Sequence, residues 1–468
     1  MKKTILTKVC ALLSVFAIGA TTGCDALSAI LSSPSVQENS EVSEVASEPL
    51  GKPENSEKPE TSEDPGTSET PETPDEEPEL AVFLNLPTEA VVPYQDTIYN
   101  YLTAGAGAKV RDYYQKMDTQ AKPVSISWTF SGSPREARKF RVEYATMSNY
   151  ADAITVETES KNRSIEVYNL YRGTRYYVRV TALNKDGVAV YNVAEGSFVT
   201  TDVGPRFMMV DGVCNVRDLG GYTTVDGKEL VQGIAYRGGH LMPAGGYTNQ
   251  VTDAGLAYMS DVMGIKAEID FRTPGEAGFD GGSYISGASL TYVTINSYAP
   301  TFNYDDEYYQ FFSMLADENN YPAYIHCTGG ADRTGSVVYL LHTMLGVSDV
   351  ECLQGYELTS FSTYGLRDTQ YTGAEYKGYW DAFMEKLDTY AGNTKQEKVE
   401  TWMKTVVGIS QAQIDKIKAI FYGEIQIEGK SFTSNQDELP IIPFSAKKSV
   451  KAQYSEMLAA WAVYKKNN

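Results

Sequence analysis

The sequence predicts a multidomain chain in which an all-β domain precedes an α/β domain. Two stretches carry that expectation. Between Ala121 and Thr201, apolar and polar residues alternate through Val124-Ser125-Ile126-Ser127-Trp128, Phe140-Arg141-Val142-Glu143-Tyr144 and Tyr176-Tyr177-Val178-Arg179-Val180, punctuated by turn residues such as Asn184-Lys185-Asp186-Gly187. A period of two belongs to half-buried strands. Further on, Pro322 to Ile325 is short and mostly apolar, Gly329 and Gly330 mark a tight loop, and Val337, Leu340, Leu341 and Leu345 fall near helical spacing. Strand, loop and helix in that order are the unit of an α/β domain.

The loop between that strand and helix carries the chemistry. Tyr324-Ile325-His326-Cys327-Thr328-Gly329-Gly330-Ala331-Asp332-Arg333-Thr334-Gly335 sets a cysteine and an arginine in a C-x5-R arrangement. A loop turning from strand into helix can point successive backbone N–H groups inward as an anion cradle. The helix offers its positive end to the same point. A cysteine at the bottom is held as thiolate, its pKa lowered from about 8.5 into the range of roughly 3.5–7.5. That thiolate is the nucleophile, and Arg333 can grip two phosphate oxygens with its planar fork. Thr328, Gly329, Gly330, Ala331, Asp332 and Thr334 are the expected substrate-binding residues. The glycines let the backbone approach a ligand closely. The Thr334 hydroxyl can donate to the sulfur, and His326 orients the loop, since a thiolate needs no base.

His326-Cys327-x5-Arg333-Thr334-Gly335 resembles the signature of cysteine-dependent protein tyrosine phosphatases. The D-R-T-G ending is similar to the bacterial branch that carries H-C-T-A-G-K-D-R-T-G, with dual-specificity and lipid-like members. Two further segments resemble the same branch: Asn215-Val216-Arg217-Asp218-Leu219-Gly220-Gly221-Tyr222 with Ala235-Tyr236-Arg237-Gly238-Gly239-His240-Leu241, and Gly264-Ile265-Lys266-Ala267-Glu268-Ile269-Asp270-Phe271-Arg272 with Glu276. The resemblance implies an α/β tyrosine-phosphatase-like catalytic domain over 204–424 and a two-step reaction. Cys327 attacks phosphorus, and water then hydrolyses the phosphocysteine. No cofactor is implied. Gly238 replaces a common serine, Gly329 an alanine and Ala331 a lysine; the last loss weakens the case for highly charged head groups.

A leaving alkoxide or phenoxide needs a proton. Asp270, Glu276, Asp280 and Asp332 are the candidates, and Asp270 is favoured because it sits where a strand's carboxyl end would face the loop. Arg217, Asp218 and Arg237 are expected either as a buried ion-pair network or at the rim of the site. Ser348-Asp349-Val350-Glu351 can cap one helix, and Ser410 opens another that places Ile414, Ile417, Ile420 and Phe421 on one face.

In the all-β domain, Trp128 and Leu170-x3-Thr174-x-Tyr176 look like a fibronectin type III module with its tyrosine corner. The resemblance implies an immunoglobulin-like sandwich over 121–203, serving as a spacer or binding a protein or carbohydrate.

The flanks are of other kinds. Residues 1–23 read as an export signal, with Lys2, Lys3 and Lys8 before an apolar run too short to span a membrane. Thr21-Thr22-Gly23-Cys24 resembles a lipoprotein cleavage site, which implies a lipid on Cys24. The chain is then expected on the outer side of a bacterial cell membrane, or secreted if Cys24 stays unmodified. Residues 24–80 form a Ser-, Glu-, Pro- and Thr-rich tether that holds most of the net charge of −21. That acidity, and the lack of a basic cluster, exclude nucleic acid as a partner. Residues 81–120 are a tyrosine-bearing lead-in. Residues 425–468 are expected as a helical extension, with Val450, Tyr454, Met457, Leu458, Trp461 and Tyr464 near helical spacing. His240, His326 and His342 lack metal-ligand spacing, so no metal is expected. Cys327 must stay reduced; Cys214 or Cys352 could trap it reversibly.

The sequence therefore reads as an exported cysteine-dependent phosphatase of phosphomonoesters, with protein phosphotyrosine as the first expectation. An inositol phosphate or phosphoinositide phosphatase is the alternative, and a non-catalytic phosphate-recognising surface protein the second.

Overall fold

The structure, a computed structural model, describes residues 79–105, 107–243, 250–278, 281–295, 302–370, 375–430 and 443–444. The expected signal, Cys24 and nearly all of the acidic tether lie outside the described residues, as does the apolar face expected between Val450 and Tyr464.

Described in chain order, β1 (Val82–Asn85) leads to α1 (Asp96–Thr103) and α2 (Val110–Tyr113). The alternating stretches then form β2 (Val124–Phe130), β3 (Lys139–Ala145), β4 (Ile154–Glu159), β5 (Ser164–Val167), β6 (Arg175–Leu183) and β7 (Ala189–Val199). These pack as two sheets, β4-β3-β6-β7 and a second that begins β1-β2-β5. Their inward positions bury Trp128, Phe140, Val142, Leu170 and Tyr176 together. Burying each side chain of this size contributes about 1.5–3 kcal/mol. The Tyr176 hydroxyl accepts from Tyr171 N at 2.9 Å, which closes the expected tyrosine corner. The lead-in is shared: β1 pairs antiparallel with β2 in the sandwich, whereas α1 and α2 lie against the following domain.

That domain comprises β8 (Arg217–Asp218), β9 (Ala235–Gly238), α3 (Asp253–Asp261), β10 (Ala267–Asp270), α4 (Pro274–Ala277), β11 (Ser289–Tyr292), α5 (Asp305–Leu315), β12 (Ala323–His326), α6 (Asp332–Met344), α7 (Asp349–Glu357), α8 (Glu375–Asp388), α9 (Lys395–Trp402) and α10 (Gln411–Phe421). The sheet order is β11-β10-β12-β9-β8, parallel except for the edge strand β8. β9, β10 and β12 are buried throughout, as strands covered on both faces must be. Ile325 and Ile269 join α6 in one core, while Tyr324 and Tyr236 join α3 in another. Asp270, His326 and Gly238 end their strands side by side. Ser348 caps α7, and Ser410 opens α10 with a capping box to Gln413.

The expected C-terminal helical extension needs a correction in its described parts. Ile427 and Lys430 close a small turn, and the backbone of β13 (Pro443–Phe444) pairs antiparallel with β5 of the sandwich. A two-residue bridge to an open sheet edge satisfies backbone groups that a helix there would not.

The two domains meet at the sandwich corner between β5 and β6. The Asn169 side chain donates to Met209 O (3.0 Å) and accepts from Met209 N (2.6 Å). Gln232 does the same for the backbone of Arg172, at 3.2 and 3.1 Å.

His342 packs in α6 with its ring 4.7 Å from that of Tyr222 and Nε2 3.0 Å from Leu219 O. Burial, as the largest influence, pulls its pKa from 6.5 to about 4. Between those values the unfolded chain takes up a proton that the folded chain refuses, so stability falls as pH drops through this window. His342→Gln is expected to flatten that loss, measured as denaturant midpoints between pH 7 and 4. An unchanged pH slope would mean that the imidazole is not the group being charged.

Candidate active site

The loop after β12 is shaped from behind. Thr328 O accepts from His240 N (3.1 Å). Gly329 O and Gly330 O accept from Asn215 Nδ2 at 3.0 and 3.2 Å, and Gly330 O also accepts from Arg237 Nη2 at 2.5 Å. A trans peptide points its N–H opposite to its C=O. Tying these carbonyls down on one side therefore turns the next amides, those of Gly329, Gly330 and Ala331, to the other. Gly330 has φ +61°, and a Cβ there would lie 2.2 Å from Gly238 O, so only glycine fits. α6 begins at Asp332, inside the motif, so its positive end faces the same space.

Cys327 sits at the start of this loop, 3% exposed. Burial pushes its thiol pKa up, but the Arg333 guanidinium and the Thr334 hydroxyl and N–H outweigh it, and the net shift is downward. Among the described residues the Thr334 hydroxyl has no other partner. Arg237 adds positive charge from below. Burial lowers its pKa to about 10, which leaves it charged at neutral pH, and the Cys327 thiolate supports that charge.

Arg333 is held in a two-point pair by Glu276 (Nη2–Oε1 2.6 Å, Nη1–Oε2 2.7 Å), and Thr328 Oγ1 donates to the same carboxylate at 2.9 Å. Glu276 stands at the third position of α4, whose N-cap is Thr273. Burial raises its pKa, yet the bonds from Arg333 and Thr328 bring it below its ordinary value. Asp332 is gripped by Arg367 (Nε–Oδ1 2.7 Å, Nη2–Oδ2 3.0 Å) and accepts from the Tyr356 hydroxyl at 3.1 Å.

Asp270 requires a correction. It reaches the strand end as expected, but it is 1% exposed and accepts from Arg272 Nε, Nη2 and backbone N at 2.7–3.0 Å. His326 Nδ1 lies 3.8 Å away. Burial pushes its pKa up, but His326 and Arg272 reverse that and leave it lowered. A carboxylate so paired stays ionised and has no proton to give. His326 bridges this pair to Glu268, whose Oε1 lies 2.9 Å from Nε2, as suits a loop-orienting role. Asp280 lies outside the described residues.

The expected network of Arg217, Asp218 and Arg237 is also rearranged. Asp218 pairs with Arg206 at 3.3 Å and caps the amides of Gly220 and Gly233. Arg217 and Arg237 instead donate to carbonyls, sharing Gly355 O at 2.8 and 3.4 Å. Two departures from the family pattern have steric reasons. A Cβ at Gly238 would meet the Tyr324 hydroxyl at 2.2 Å, and one at Gly329 would meet the Tyr364 ring at 2.6 Å. Sequence reasoning passed over Asn215, Tyr364 and Arg367; Asn215 stood in a quoted motif, whereas the other two follow no recognisable spacing. Cys214 and Cys352 are buried free thiols.

A thiolate beneath inward-facing amides, with a guanidinium at the rim, is built to take a phosphoryl group from oxygen. The α/β half is a cysteine-dependent phosphatase. Residues 208–423 match the tyrosine phosphatase family, which makes it a phosphoric monoester hydrolase, and residues 111–192 match the fibronectin type III domain. Among solved structures, the core catalytic domain of the PP-IP phosphatase SIW14 from S. cerevisiae is 12% identical, covering 38% of this chain and 86% of that one with a TM-score of 0.23. The fn3 domain of human collagen alpha-1(XX) is 26% identical, covering 19% and 76% with a TM-score of 0.15. No curated protein matches the chain.

Two outcomes follow from this geometry. Arg237→Met is expected to raise the pH at which Cys327 becomes half-maximally reactive toward iodoacetamide, and Arg237→Lys to raise it less, because the charge is kept. A midpoint unmoved by Arg237→Met would remove Arg237 from thiolate stabilisation. Asp270→Asn removes the charge from the buried pair with Arg272 and should cost about 3–5 kcal/mol of stability. It should slow aryl phosphates with good and poor leaving groups by the same factor; a steeper leaving-group dependence would return the acid role to Asp270.

Proposed function

We propose that the chain is an exported phosphatase of protein phosphotyrosine, working through a phosphocysteine on Cys327. In this reading Arg333 and the loop from Thr328 to Thr334 bind the phosphoryl group. The observation that carries it is the state of the described carboxylates around the loop. Asp270, Glu276 and Asp332 are each paired with an arginine. A site with little acid to offer suits a leaving group that departs with little help. A phenol, with a pKa of about 10, is such a group, whereas an alkanol is a far poorer one. The half-buried Tyr364 ring, packed on Gly329, supplies an aromatic wall for a phenyl ring. Ala331, buried at the loop, supplies no cation for a polyanionic head group.

Export and a lipid on Cys24 belong to the same proposal. Among the described residues no helix is long and apolar enough to cross a membrane.

The test is phosphate release by the full chain under reducing conditions. The panel is phosphotyrosine and phosphoserine peptides, phosphoinositides and inositol hexakisphosphate, with Cys327→Ser as control. Phosphotyrosine is expected to turn over fastest and the serine variant not at all. Faster release from inositol phosphates would move the reading to small polyanions, and tight phosphate binding without release to a recognition protein. Cys24→Ser is expected to shift the protein from the membrane fraction to the medium; retention on the membrane would exclude Cys24 as the anchor.

A further inference from the structure

The segment from Leu358 to Gln370 packs against the loop, and little regular structure supports it. Beyond a single 3-10 turn at Leu358–Phe361 it has no helix or strand. Yet it supplies two side chains that shape the site. Arg367 fixes Asp332 inside the motif, and Tyr364 fills the space over Gly329. Its Thr359 hydroxyl also accepts from Asn215 and Arg217, at 3.1 and 3.3 Å.

What holds this segment comes from the other end of the chain. The Tyr101 hydroxyl donates to Glu357, whose other oxygen accepts from Thr369 N (2.9 Å) and Oγ1 (2.6 Å). Arg111 pairs with the fully buried Asp368, the residue after Arg367. Gln120 Nε2 donates to Leu358 O at 2.9 Å, and Gln370 Nε2 to Ala108 O at 3.0 Å. Tyr94, Ile98, Tyr101 and Val110 share a core with Leu358 and Phe361. The lead-in therefore grips both flanks of Arg367.

We infer that residues 94–120 are a working part of the catalytic site, with Tyr101 and Arg111 as positioning residues that set the loop through Glu357, Asp368 and Arg367. This rests on the phosphatase reading for its substrate, but not for its geometry. A loop held about 1 Å out of place by a remote change can lose on the order of a hundredfold in rate.

The experiment uses the full chain carrying Tyr101→Phe, Arg111→Ala or Arg111→Lys. Three quantities are read: kcat and KM for para-nitrophenyl phosphate, the pH profile of Cys327 alkylation resolved by peptide mass spectrometry, and the melting temperature. Tyr101→Phe and Arg111→Ala are expected to lower kcat at least about tenfold and to raise the alkylation midpoint, with Arg111→Lys recovering part of both. Variants that melt earlier but keep the wild-type kcat and alkylation profile would overturn the inference. Should Arg111→Ala fail to fold, Arg111→Ala with Asp368→Asn removes the stranded charge. Reduced kcat in that pair supports the inference, and full kcat overturns it. If the wild type releases no phosphate at all, the phosphatase reading fails alone. The alkylation midpoint then decides: a rise in the variants supports positioning, and an unmoved profile overturns it.

Discussion

An anion cradle made of backbone amides requires that its carbonyls be held on the opposite side, and most of the catalytic domain answers to that requirement. Asn215, Arg237 and the His240 amide take those carbonyls. Asn215 does so from a left-handed backbone conformation, and Gly330 accepts one as well. Non-glycine residues adopt that region rarely, asparagine among the more willing. Room for this arrangement is made by leaving Gly238 without a side chain, so that Tyr324 can stand beside it and donate to Gly239 O at 2.6 Å.

Electrostatics follows from the same constraint. Arg217 and Arg237 are both 1% exposed, and among the described residues they donate to carbonyls and the Thr359 hydroxyl, not to carboxylates. Burying a guanidinium costs several kcal/mol even after relaxation. Burial lowers the pKa of both, and Arg237 lowers that of Arg217 further. A carboxylate beneath the loop would relieve that strain, but it would also cancel the field felt at the sulfur. Leaving the cations uncompensated keeps positive potential where a thiolate or a phosphate dianion belongs. On the other flank the pattern is reversed. There Asp270 pairs with Arg272, and Glu268 and Asp270 flank His326, which fixes the strand ends.

The parts of this fold that were legible in the sequence are local ones. The alternation in the sandwich, the caps at Ser348 and Ser410, and the cysteine-arginine loop each depend on residues a few positions apart. Asp270 shows where local reading stops. Its place at a strand end was readable, but its protonation depends on Arg272 folding back on it and on His326 from a neighbouring strand. Gly329 and Gly238 looked like small departures from a pattern; each turns out to be the space taken by a tyrosine from elsewhere. Tyr101 and Arg111 had no signal at all, because their partners lie 256 and 257 residues away. No periodicity spans such a distance.

The same limit applies to the sandwich, which sequence alone left open as a spacer or as a module that binds a protein or carbohydrate. The corner between β5 and β6 shows what ties it to the catalytic domain. Asn169 and Gln232 each present a side-chain amide whose donor and acceptor are both satisfied by backbone across the junction. Both residues are buried. Pulling the domains apart without solvating these groups would cost about 1–3 kcal/mol for each one left unpaired. Arg206 adds a further bond, donating to Asn169 O at 2.5 Å while pairing with Asp218. A corner that supplies the partners of buried catalytic-domain groups is part of that domain's wall. The sandwich is therefore fixed to the catalytic domain through this corner.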